Sequence, residues 1–287
     1  MLESVMTDRV TPDWVRSRKG QSPPLTLLPA YDATFARFLD RAGVDIILAG
    51  DTLGQFVQGH DSTLLVTVDD IVYHLRALRR GVEHALVVGD MPFMSFQVSP
   101  EEAIRNAGRL VKEGGAEAIK LEGGEHVAEA VAAIVRAGIP VISHIGVQPQ
   151  SVLLTGQFRS CAARALEDVR KVLHDARCLE EAGAFAIVVE AVPREVAKKV
   201  TESISIPTLG IGSGPDCDGQ VIVTHDILGL FTEFQPKFVK RYAKLADVID
   251  GALAEFLSEV GEGKFPDDEH CYHLKDSELS KEIEALE

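Results

Sequence analysis

Eight short apolar runs recur along the chain, most of them followed by a stretch of helical period, and this alternation limits what the sequence can fold into. The runs are LTLLPAYD from Leu25, VDIILAGD from Val44, ALVVGDM from Ala85, AEAIKLEGG from Ala116, IPVISHIG from Ile139, AFAIVVEAV from Ala184, IPTLGIG from Ile206 and VIVTHDIL from Val221. Rich in Val and Ile and without strict polar alternation, they suit strands buried on both faces of a parallel sheet. Between them, FARFLDRAG, DDIVYHLRALRRG, PEEAIRNAGRLVKEGG, HVAEAVAAIVRAG, ALEDVRKVLHDARCLEEAG and PREVAKKVTES repeat apolar residues at the i, i+3, i+4 spacing of an amphipathic helix. Gly43, Gly81, Gly114, Gly138 and Gly183 stand where these helices should stop, and Ser99-Pro100-Glu101-Glu102 reads as an N-cap with Pro and acidic residues in the first turn.

About eight such units close a (β/α)₈ barrel. An open doubly wound sheet also alternates strand and helix, but the first turn, PAYDAT, lacks the G-x-G-x-x-G of a dinucleotide site. The expected organisation is one barrel domain over residues 1–287. A leading helix and linker occupy about 1–24, a closing helix 236–260 and a polar tail about 261–287.

Composition excludes several partners. With 29 basic and 44 acidic side chains the formal charge is −15, which repels a phosphate backbone, so no nucleic acid partner is expected. No apolar run approaches the ~18–20 residues needed to cross a bilayer. The N-terminal MLESVMTDRV lacks the apolar core of a secretory signal. Cys161, Cys178, Cys217 and Cys271 form no C-x-x-C pair, which argues against a zinc site or disulfide framework. A cytoplasmic protein with free thiols and no membrane contact is the reading.

In a barrel of this kind the chemistry gathers at the C-terminal ends of the strands. The runs end on Asp32, Asp51, Asp90, Glu122, His144 and Glu190. Any one of these carboxylates taken alone is more often a solvated loop residue or a helix N-cap. Strand after strand placing an acid or imidazole at the same rim is different, because close like charges repel unless a cation or shared proton relieves them. Asp51, Asp90 and Glu122 would give Mg²⁺ hard oxygen ligands and leave room for a 2-oxo acid to chelate it. The ion would then act as a Lewis acid while a carbon-bound proton leaves. Lys120, on the same strand face as Glu122, suits the substrate carboxylate or simply neutralises its acidic neighbours. Glu190 ends a wholly apolar strand, where burial raises a carboxyl's pKa towards neutrality, and is the candidate base; the alternative is a buried hydrogen-bonded carboxylate. His144 suits a hydrogen bond to a substrate oxygen or a proton relay, or is a core histidine. The segment GIGSGPDCDGQ fits either a phosphate-binding loop or a tight turn.

The motifs AYDAT, AGDTLG, GHDSTLLVTVDD, VVGDMPFMSFQVSPEEAIRNAGRL, IKLEGG, HIGVQPQS, EAGAFAIVVEAVP and IPTLGIGSGPDCDGQ resemble the ketopantoate hydroxymethyltransferase family, from about Arg9 to His270. The resemblance implies a barrel of the phosphoenolpyruvate mutase/isocitrate lyase-like superfamily, assembled as a homo-oligomer, commonly a decamer, in pantothenate biosynthesis. It implies transfer of a hydroxymethyl group from 5,10-methylenetetrahydrofolate to 2-oxoisovalerate through a Mg²⁺-stabilised enolate. By motif, Asp51, Asp90 and Glu122 match the metal site. Tyr31, Asp51, Thr52, Asp90 and Lys120 match substrate contacts, and Glu190 and His144 match catalytic positions. Thr52 stands where the family usually has Ser, Ser213 sits in its G-I-G-A-G motif, and Gly156 to Cys161 departs from its G-G-Y-K-V-Q-G-R loop.

Two other activities share features of this site. One is a Mg²⁺-dependent aldolase or C–C lyase acting on a different 2-oxo acid, although the K-K-C-G-H signature of isocitrate lyase is absent. The other is a barrel that binds metabolites without turnover.

Overall fold

The computed structural model describes residues 9–155, 162–275 and 277–286. Its strands are β1 (Leu25–Pro29), β2 (Ile46–Ala49), β3 (Leu86–Asp90), β4 (Ala118–Glu122), β5 (Val141–Gly146), β6 (Ala186–Glu190), β7 (Thr208–Ile211) and β8 (Gly219–Val221). They pair in parallel in that order and β8 returns to β1, closing the barrel. The helices are α1 (Pro12–Ser17), α2 (Ala33–Arg41), α3 (Leu53–Phe56), α4 (Val68–Arg79), α5 (Pro100–Lys112), α6 (Ala128–Arg136), α7 (Val152–Thr155), α8 (Leu166–Glu181), α9 (Arg194–Ser203), α10 (Thr224–Ile227), α11 (Leu245–Gly261) and α12 (Ser277–Glu284).

Local chemistry sets the helix ends. Ser99 accepts from the Glu102 N–H ahead of Pro100, and Thr67 and Asp70 cap α4 reciprocally, so otherwise unpartnered N–H groups are satisfied. Gly43, Gly138 and Gly183 take the left-handed conformation after their helices, as the sequence suggested. After α5 the left-handed residue is Gly115 rather than Gly114. Gly81 instead serves close packing: a Cβ there would lie 2.3 Å from the Ala33 carbonyl oxygen.

Period two along each strand sends alternate residues into the barrel. Leu86 and Val88 on β3, Ala118 on β4, Ile142 on β5, and Ala186 and Val188 on β6 fill the interior with Leu27, Leu48 and Leu209. The residues between them, such as Val87, Ile119, Ile145 and Ile187, pack outward with the helices in a second core. Continuing each interior column one step towards the strand's C-terminus gives Asp90, Lys120 then Glu122, His144, and Glu190. The layer above the apolar plug is therefore polar because the inward positions change character at the strand ends.

Two expectations shift. The eighth strand is only Gly219–Val221, earlier than the VIVTHDIL run, since Thr224–Ile227 turns helical. Gly219 is what lets it pair closely, because a Cβ would meet Leu209 at 2.5 Å and the Leu25 carbonyl oxygen at 2.7 Å. The closing helix occupies Leu245–Gly261 instead of 236–260, and none of its residues is buried. Val248, Leu253, Phe256, Leu257 and Val260 are all exposed on it. Among the described residues no helix is long and apolar enough to cross a membrane.

Candidate active site

Strand register brings the polar layer into pairs. Asp90 is opposite Lys120, with Nζ 2.8 Å from Oδ1. Glu122 is opposite His144, whose Nδ1 lies 3.5 Å from Glu122 Oε2 and whose Nε2 lies 3.3 Å from Glu190 Oε2. The imidazole thus lies between two carboxylates, and neither ring nitrogen is aligned for a hydrogen bond to them. Asp51, just beyond β2, donates its N–H to Asp90 Oδ2 at 3.2 Å. Gly146 is opposite Glu190, and a Cβ on it would lie 2.2 Å from the Glu190 carbonyl oxygen, so glycine is required for this approach.

One pocket is lined by Asp51, Thr52, Asp90, Lys120, Glu122, His144 and Glu190. The rest of its lining is apolar: Leu27, Leu48 and Val188 of the interior plug, with Ile211, Val221 and Val223. Tyr31 stands behind this lining, its hydroxyl 2.7 Å from Thr52 Oγ1. Burial raises the phenol's pKa well above its ordinary value, so Tyr31 stays protonated. Asp32 is not part of the pocket: its side chain accepts from the Thr34 and Phe35 N–H groups and caps α2. The GIGSGPDCDGQ segment is a tight turn, with Gly212 and Gly214 left-handed and Ser213 donating to the Val189 carbonyl at 2.8 Å. The altered loop 156–161 lies outside the described residues.

Gln150 was not singled out from sequence, yet it organises the acids. Its N–H donates to Glu122 Oε1 at 2.6 Å, and its Nε2 donates to Asp51 Oδ2 at 2.8 Å and to the Met91 carbonyl at 3.1 Å. A neutral amide carries no titration cue, and the only signal was its place in HIGVQPQS. Gln150→Leu keeps the volume and removes the side-chain donor. If the cluster holds a divalent cation, the change is expected to weaken its binding roughly 10–100-fold, as loss of an orienting partner does; isothermal calorimetry would show this, and unchanged affinity would remove Gln150 from the site.

The charge balance decides what this cluster can hold. Asp51, Asp90 and Glu122 are buried against one ammonium, Lys120, an excess of 3 − 1 = 2 negative charges when all are ionised. Burial, with Asp90 nearby, pushes Asp51 up to about 7, and burial with Asp51 nearby pushes Glu122 well above the usual carboxylate range. Burial alone would lower Lys120, but Asp90, Asp51 and Glu122 outweigh it and raise the ammonium's pKa. Buried, oxygen-only and short of two positive charges, the donor set fits a hard divalent cation.

A closed parallel barrel with its acids gathered at the strand ends defines the class, a (β/α)₈ barrel with a polar rim, a fold also seen in solved mutases and lyases. Phosphoenolpyruvate phosphomutase from Streptomyces platensis subsp. rosaceus superposes with a TM-score of 0.58 at 15% identity, covering 96% of this chain and 97% of that one. A 2,3-dimethylmalate lyase superposes with a TM-score of 0.56 at 16% identity, covering 96% and 94%. Within that class, the ketopantoate hydroxymethyltransferase profile matches residues 9–268, and the chain belongs to that family. The 3-methyl-2-oxobutanoate hydroxymethyltransferase of Moorella thermoacetica is 50% identical over 264 residues, 92% of this chain and 98% of its own length. That of Clostridioides difficile is 47% identical over 266 residues, 93% and 96%.

Proposed function

We propose that this chain transfers a hydroxymethyl group from 5,10-methylenetetrahydrofolate to 2-oxoisovalerate, giving ketopantoate for pantothenate biosynthesis. The observation that carries this reading is the pocket itself: a buried acid cluster with one lysine adjoins a lining of Leu, Ile and Val side chains suited to an isopropyl group. Family membership supports the same substrate.

Asp51, Asp90 and Glu122 would hold Mg²⁺, which when bound supplies Lewis-acid stabilisation of charge on the 2-oxo group. Lys120, held as an ammonium, and the Thr52 hydroxyl, fixed by Tyr31, orient the substrate carboxylate and carbonyl. Glu190 removes the C3 proton, and the resulting carbon nucleophile attacks the folate's methylene carbon. A C–C bond forms, the methylene–nitrogen bonds break, and water supplies the hydroxyl as tetrahydrofolate leaves. His144, 3.3 Å from Glu190, passes the abstracted proton onward.

Proton NMR of 2-oxoisovalerate in D₂O tests the reading. Metal-dependent loss of the C3 proton, with ketopantoate appearing only when the folate is added, is expected. Exchange without ketopantoate would point to the aldolase or lyase alternative, and no exchange would remove 2-oxoisovalerate as substrate.

Metal affinity should depend on pH with a definite sign. Below about 7 a metal-free Asp51 is mostly protonated, so an incoming ion must displace that proton. Mg²⁺ affinity is therefore expected to rise as pH increases from about 6 to about 8, by up to about tenfold per unit on the acid side. Calorimetry in buffers of different ionisation enthalpy reads the released proton; a flat profile would contradict it.

The same reading places the enzyme in the cytoplasm as a homo-oligomer of one-domain barrels over 1–287. The apolar helix α11 supports assembly, since an exposed apolar surface of this extent marks an interface. Replacing Leu253 and Leu257 together by Glu should shift the sedimenting mass down towards the 31.1 kDa of one chain; an unchanged mass would exclude α11 from the interface.

A further inference from the structure

We propose that Glu125, His174 and Cys178 form a second metal site on the outside of the barrel, taking a borderline divalent cation of the Zn²⁺ kind. His174 and Cys178 are four residues apart on α8 and so share one helix face. Glu125 opens the 3₁₀ turn Glu125–Val127 that follows β4. Glu125 Oε2 is 3.3 Å from His174 Nε2, and Cys178 Sγ is 3.4 Å from the same nitrogen. One ligand atom from each residue lies within 4.8 Å of the other two.

The two separations from His174 are those of ligands around one small ion. Zn²⁺ bonds of about 2.3 Å to sulfur and about 2.0–2.2 Å to nitrogen and oxygen, set tetrahedrally, place neighbouring ligand atoms about 3.3–3.6 Å apart. The donor types separate this site from the acid cluster: thiolate and imidazole favour Zn²⁺, whereas Mg²⁺ seeks oxygen. Glu125 and His174 are exposed, which leaves the fourth position to water.

The two segments are already fixed to each other. The Glu125 N–H donates to Asp175 Oδ1 at 2.8 Å, and Asp175 is braced by Lys171, with Nζ 3.0 Å from Oδ2. Gly124 permits this contact, because a Cβ would lie 2.3 Å from Asp175 Oδ1. Burial and the Glu125, Glu181 and Asp175 carboxylates push the Cys178 thiol up, and that same negative field favours a cation. A bound ion would clip α8 to the turn three residues beyond Glu122.

The test uses the full chain with Mg²⁺ in excess and Co²⁺ as a spectroscopic stand-in for Zn²⁺. A thiolate-to-cobalt charge-transfer band, lost on adding Zn²⁺, is expected. Cys178→Ser should abolish the band and His174→Ala should weaken Zn²⁺ binding by at least the roughly 10–100-fold that loss of a supporting partner costs. Cys271→Ser, altering an exposed thiol elsewhere, should leave both unchanged. Absence of the band in the unsubstituted chain, or its survival in Cys178→Ser, would overturn the site. Mg²⁺-dependent turnover should be retained by Cys178→Ser, confirming that the variant is folded.

Discussion

Glu190→Gln is expected to lower ketopantoate formation by roughly 10²–10⁴-fold, the usual contribution of a positioned general base. The change keeps size and shape but removes the proton-accepting charge. Glu190 contacts His144 at 3.3 Å and has no ion pair with Lys120, so the acids proposed to hold the metal should be little disturbed. Mg²⁺ affinity should therefore stay within a few-fold while C3 proton exchange falls with turnover. Loss of both together would mean that Glu190 shapes the site instead of acting on the substrate. Exchange at the unsubstituted rate would assign the base to another residue.

Lys120→Met should have the largest effect on stability. It leaves Asp51, Asp90 and Glu122 buried without their one cation, and breaking a buried pair from one side costs about 3–5 kcal/mol. The pH sign follows from the raised acids. A carboxyl whose folded pKa exceeds its unfolded value adds relative stability below the unfolded pKa, and this is lost as pH rises through the folded value. The deficit should therefore be small in mild acid and greatest above about 7, the region in which Asp51 ionises. Added Mg²⁺ should recover part of it by binding only the folded state. Urea midpoints across pH, with and without the ion, measure this; a midpoint unchanged by the substitution would show that Lys120 is not what compensates the buried acids.

The barrel was legible because strand and helix periods alternate along the chain without conflict. So were the polar ends of the inward columns, where LVVGD, AIKLE, VISH and AIVVE each turn from apolar to ionisable at the rim. Asp32 misled because a helix cap and a site carboxylate look alike after a strand; only the Thr34 and Phe35 N–H groups distinguish them. The eighth strand misled because VIVTHDIL has strand composition, whereas pairing depends on Gly219, which has no side chain to read. Gln150 escaped notice because its role comes from reaching three elements at once. Cys178 lies near His174 on its own helix and near Glu125 from a turn far away in sequence, a grouping that no C-x-x-C spacing signals.

Helix α11 has a consequence for the order of events during synthesis. The last strand ends at Val221 and α11 begins at Leu245, so every barrel strand leaves the ribosome before this helix exists. Only its first turn is tied to the rest of the chain, Leu245 and Ala246 donating their N–H groups to the Leu228 and Gly229 carbonyls, and none of its residues is buried, so it gains little of the tertiary packing that supplies most helical stability. Its ordering should therefore wait on encounter with another surface and become faster as protein concentration rises. Until then a newly made chain carries a folded barrel and an adhesive end, the period when aggregation is the competing outcome.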